Sequence, residues 1–108
     1  MLKSILNLLG FGPKADYYDL VVNHHAIVVD VRSKGEFKSG HIEGSLNIPV
    51  EGLRKNIGKL EGKQETPIIT CCASGMRSAT AKGILKAKGF KVVHNGGAWL
   101  SLDGKLHK

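Results

Sequence analysis

Cys72 closes the apolar run Pro67-Ile-Ile-Thr-Cys-Cys72 and opens Ala73-Ser-Gly-Met-Arg-Ser78. The pattern reads strand, short glycine-containing loop, helix. A cysteine at the carboxyl end of a parallel strand stands where α/β folds hold their ligands. The helix that follows begins with backbone N–H groups that have no intrahelical partner, and its dipole favours an anion there. Arg77 adds a positive charge. Together these should hold the Cys72 pKa below the free value of about 8.5 and keep an ionised, reachable sulfur. Thiolate is the form that attacks a sulfur–sulfur bond. Gly75 lets the backbone curl tightly around that sulfur, and the hydroxyls of Ser74 and Ser78 are further donors. On these residues alone, an inert buried cysteine beside an ordinary helix start fits equally well.

The elements around this loop follow from the hydrophobic pattern. His25-Ala-Ile-Val-Val-Asp-Val31 is nearly continuously apolar and β-branched, as a strand buried on both faces is. Pro67–Cys72 and Phe90–His94 are similar and shorter. Leu46–Val50 is a brief strand that Pro49 confines to an end or edge. Between them lie helix signals. Asp16 is an N-cap with Asp19 in the first turn. Ser33 and Glu36 have the capping-box spacing, with Gly40 as the stop. Leu53, Ile57 and Leu60 fit one helical face ended by Gly62, and Ala81, Ile84 and Leu85 fit another ended by Gly89. Strand and helix alternate, which predicts an α/β domain with a mostly parallel sheet and helices on both faces.

Composition sets bounds. The chain has 108 residues, 42% of them hydrophobic, enough for one domain with a core of its own. Its two cysteines are adjacent, so neither a disulfide framework nor a CxxC zinc site is expected. Free thiols suit a reducing compartment and point to the cytoplasm. The net charge of +7 comes from lysines spread along the chain. It reads as a solvated basic surface that draws small anions, with no nucleic-acid partner. Leu2, Ile5, Leu6 and Leu9 lie on one helical face within residues 1–13, an apolar extension before a domain over 14–108. It is too short to span a bilayer. A short packing helix is the expectation, with an export signal as the minority reading.

Three motifs in order resemble one family. Cys72-Ala-Ser-Gly-Met-Arg-Ser78 is similar to the active-site loop of single-domain rhodanese-like sulfurtransferases. The stretch from Asp30-Val-Arg32 through Glu36-Phe37 and Gly40-His-Ile42 to Asn47-Ile-Pro49 resembles that family's upstream signature. Asn95-Gly-Gly-Ala-Trp99 resembles its late Gly-Gly…Trp segment, with a compressed gap. The likeness runs from about Asp16 to Leu102. It implies a rhodanese-like three-layer α/β fold with a central, mostly parallel sheet of about five strands flanked by helices. It implies ping-pong sulfur transfer without a cofactor or metal. Cys72 would take sulfane sulfur from thiosulfate or another small anionic donor as a persulfide, and pass it to cyanide, a thiol or a protein acceptor. The amides of residues 73 to 77 would cradle that sulfur, and Asp30 and Arg32 would shape the pocket or pair with each other. Ala73 and Ser74 stand where some thiosulfate-using relatives carry basic side chains, so a persulfide or polysulfide donor is equally open.

The same residues admit two rival readings. A rhodanese-fold interaction module without activity is one. A phosphatase is another, though the four residues between Cys72 and Arg77 make a smaller ring than a phosphate needs. Cys71 is expected to be buried on the face opposite Cys72, His41 to be structural, and Trp99 to close the core. His24 and His25 lack a third partner at metal-ligand spacing.

Overall fold

A computed structural model of the chain describes residues 15–107. The expected helix over Leu2–Leu9 lies outside them. Helix α1 (Tyr17–His24) starts at Asp16, whose side chain accepts from the Asp19 amide at 3.0 Å, and ends at His25 in the left-handed region (φ 57°). Strand β1 (Ile27–Asp30) leads to the short helix α2 (Lys34–Lys38), where the Ser33–Glu36 capping box is formed. Strand β2 (Leu46–Asn47) follows, ending before Pro49 as the sequence requires. Then come β3 (Ile68–Cys72), α3 (Met76–Ala87), β4 (Val93–Ala98) and α4 (Trp99–Leu106).

The strands are all parallel, in the order β2-β1-β3-β4. Four strands among the described residues form this sheet, against the five or so that the resemblance implies. The chain steps outwards one way from β1 to β2 and the other way from β3 to β4. The carboxyl ends of β1 and β3 therefore meet where the winding reverses, the crevice in which open parallel sheets bind ligands.

Strand alternation divides the core into two layers. On one face Val29, Ile68, Cys72 and Val93 pack under Ala81, Ile84 and Leu85 of α3. On the other, Val28, Ile69 and Cys71 pack against Leu102 of α4 and the apolar side of α1, including Leu20 and Val21.

Three elements depart from the sequence reading. Residues 50–60 carry no α-helix. Two 3-10 turns, Val50–Gly52 and Ile57–Leu60, drop Leu53 and Leu60 into the core, and Gly62 (φ 78°) ends them. The apolar spacing there reports which residues are buried, and short 3-10 turns deliver the same residues. Strand β4 begins later than Phe90 and runs through two glycines. Helix α4 carries no start signal in the sequence beyond Trp99, and no side chain caps it.

Candidate active site

The Cys72 sulfur serves as the cap of α3. Gly75 is the N-cap residue of that helix and has no side chain to offer, and its φ of 101° suits glycine. Sγ takes over that task. It accepts from the Gly75 amide at 2.9 Å and from the Ser78 amide, in the third helical position, at 3.4 Å, with the Ser78 hydroxyl 3.5 Å away. Burial pushes the thiol pKa up. Hydrogen bonds from the Ser78 hydroxyl and from the amides of Ser78, Gly75 and Ser74 outweigh it and hold the pKa below the ordinary thiol value. Of these amide donors, Ser74 and Gly75 lie within the stretch 73 to 77, and Ser78 lies just beyond it.

The sulfur is not open to solvent, however. Cys72 is 0% exposed, while Ala73, Ser74 and Met76 above it are exposed. The loop that supplies the amides also roofs the sulfur. Two cavities, of about 330 and 360 Å³, lie elsewhere: one beside Tyr17 and Lys105, the other beside Ile57 and Phe90.

Arg77 is paired with Glu36. Its two terminal nitrogens grip Glu36 at 2.7 and 2.9 Å. Glu36 also accepts from the Ser33 amide at 3.1 Å, so one carboxylate caps α2 and ties the Cys72 loop to it. The Arg77 contact and the Ser33 amide lower the Glu36 pKa to about 2. Sequence reasoning saw only the cap, because the partner lies 41 residues away.

Asp30 and Arg32 are buried, at 0% and 4% exposure, and pair with each other. Arg32 Nη2 donates to Asp30 Oδ2 at 2.7 Å and to the Gly40 carbonyl at 2.7 Å, while Nη1 donates to the Glu36 carbonyl at 3.3 Å. The guanidinium lies 4.6 Å from the Trp99 ring centroid. This pair braces the loop after β1 against α2 and α4. Cys71 is fully buried on the opposite face, its pKa pushed up to about 12 by burial and the nearby Asp30 carboxylate. His41 bonds the Phe37 carbonyl through Nδ1 at 2.7 Å and stacks on the Phe37 ring.

Asn95 was not singled out as a site residue. Its Oδ1 lies 2.6 Å from the Ser78 hydroxyl and accepts from the Gly97 amide at 2.9 Å, and its Nδ2 donates to the Gly75 carbonyl at 3.2 Å. Strand β4 makes this reach through a bulge. Thr70 pairs with Asn95 and Cys72 with Ala98, so Gly96 and Gly97 together face the single residue Cys71. Gly96 is packed so closely that a Cβ would sit 2.8 Å from Ile69 and 2.9 Å from the Thr70 carbonyl. The glycine pair in the sequence was the available signal. The role of the asparagine before it appears only in three dimensions.

This is a parallel α/β domain carrying one amide-ringed cysteine at the point where its sheet reverses. The rhodanese-like domain pattern matches residues 14–101, and the chain belongs to that family. Among solved structures, the E. coli rhodanese with anions is 26% identical, with a TM-score of 0.66 over 70% of this chain and 89% of that one. The human single-domain sulfurtransferase TSTD1 is 27% identical, with a TM-score of 0.65 over 77% and 85%. The E. coli protein YibN is 37% identical over 92 residues, which are 84% of this chain and 64% of YibN.

Proposed function

We propose that this domain is a sulfurtransferase that carries sulfane sulfur on Cys72. The Cys72 thiolate attacks the outer sulfur of thiosulfate, or of a persulfide or polysulfide. The sulfur–sulfur bond breaks, and sulfite or a thiolate leaves with the electron pair. Cyanide or a thiolate then attacks the outer sulfur of the Cys72 persulfide and releases the Cys72 thiolate. Electrons balance without an outside oxidant, and the chemistry calls for no metal or cofactor. The observation that carries this reading is the convergence of the Gly75 and Ser78 amides on Sγ. Those donors face a charge that sits on Sγ before loading and on the outer sulfur afterwards. Since the loop roofs the sulfur, entry of a donor requires the stretch from Ala73 to Met76 to part. We place this activity in the cytoplasm, where two unpaired thiols survive.

The test is intact-mass analysis after incubation with thiosulfate and, separately, with polysulfide. A gain of one sulfur atom is expected, lost in Cys72→Ala and discharged by cyanide. No gain with either donor would return the domain to the class of interaction modules. A phosphatase is disfavoured because Glu36 occupies both terminal nitrogens of Arg77, and the absence of aryl phosphate hydrolysis is the matching control.

A further inference from the structure

The Ser78 hydroxyl has one hydrogen and three claimants within reach. Asn95 Oδ1 is 2.6 Å from Oγ, the Gly75 carbonyl 3.0 Å, and Cys72 Sγ 3.5 Å. When Cys72 is a thiol, every group is satisfied. The S–H donates to Ser78 Oγ, and Ser78 donates to Asn95. When Cys72 is a thiolate it has no hydrogen to give, and Ser78 helps it only by turning its own hydrogen from Asn95 to the sulfur. Asn95 Oδ1 is then left with the Gly97 amide alone. A hydrogen bond to an ionised group is roughly twice as strong as a neutral one, so this choice bears on the anion directly.

We propose that Asn95 is a positioning residue that governs whether the single Ser78 hydrogen points to the Cys72 sulfur or away from it. The proposal rests on Cys72 being the nucleophile of the sulfur transfer set out above. It adds a second state to that reading. Once Sγ is bonded to the transferred sulfur its own charge is gone, and Asn95 takes the Ser78 hydrogen back. The side chain thus favours the loaded and thiol forms over the free thiolate. The other charged or titratable groups of the neighbourhood do not compete for that hydrogen. Arg77, the cation that interacts with the Cys72 charge, is fixed to Glu36, with Glu51 also within its field. Asp30 and Arg32 pair with each other. Cys71 lies on the opposite face of the sheet, and burial together with Lys82 and Lys86 lowers the His94 pKa.

The experiment follows iodoacetamide alkylation of Cys72 against pH in wild type, Asn95→Ala, Ser78→Ala and the double variant. Opening of the loop scales the rates at all pH values but leaves the midpoint in place. Asn95→Ala is expected to move the midpoint to lower pH, because the nearest competitor for the hydrogen is gone. In the Ser78→Ala background the same change should move nothing. Asn95 also donates to the Gly75 carbonyl, and an effect exerted through that bond would persist without Ser78. An equal shift in both backgrounds, or none in either, overturns the proposal. A measurement on wild type guards against a variant that fails to fold. The Gly97 amide proton should move downfield as Cys72 ionises, since it inherits Asn95 Oδ1, and a Gly97 signal indifferent to that titration also overturns it. None of these readouts needs sulfur turnover. Failure of sulfur loading with these results intact would sink the proposed function and leave the proton arrangement standing.

Discussion

Cys71 and Cys72 are neighbours in sequence and opposites in chemistry. One is embedded between α4 and the sheet, with its pKa pushed up to about 12; the other faces amide donors that hold its pKa down. Limited alkylation at about pH 8 should therefore modify Cys72 and spare Cys71, and peptide mapping by mass spectrometry reads the sites directly. Equal labelling would mean that the donor ring does not distinguish them. At this scale the cysteine loop was legible, because strand, loop and helix start are local patterns. Its surroundings were less so. Glu36 and Asn95 reach the Cys72 loop from 41 and 20 residues away, and no local spacing marks such contacts.

At the level of elements, the loop is held by its neighbours. The Asp30–Arg32 pair links β1 to α2 and, through Trp99, to α4. Removing one partner strands a buried charge. Arg32→Met is expected to lower stability by about 3–5 kcal/mol, read as a fall in the urea midpoint. Removing both charges with well-packed apolar residues should cost much less. Elements with chemical start signals were readable: the Asp16 cap and the Ser33–Glu36 box formed as the sequence indicated. Residues 50–60 were misread because apolar spacing reports burial, and two 3-10 turns bury Leu53 and Leu60 as an α-helix would. Strand β4 was cut short at His94 because glycines weaken a strand pattern. Here they form the bulge that turns Asn95 towards Ser78.

The molecule as a whole has an alkaline weakness built into its core. Cys71 ionises near 8.5 in the unfolded chain and only near 12 in the folded one. A raised folded pKa gives stability that is complete below the unfolded value and is lost as pH rises towards the folded value. Urea midpoints should therefore decline from about pH 8.5 upwards, and Cys71→Ala should flatten that decline. Lysine deprotonation also acts on a chain of net charge +7, but it leaves wild type and variant equally affected. The fold class followed from strand–helix alternation, whereas the order β2-β1-β3-β4 is set by long-range pairing that alternation does not specify.

The two thiols lie on opposite faces of one strand, so an oxidised sulfur on the upper face finds no relief from below. An internal disulfide, the usual refuge of a sulfenic acid, is out of geometric reach. Peroxide damage must then be reversed by a small thiol arriving from outside, or it proceeds to sulfinic acid. How long the Cys72 thiol lasts under oxidative stress is thereby tied to the reductant supply around it rather than to Cys71.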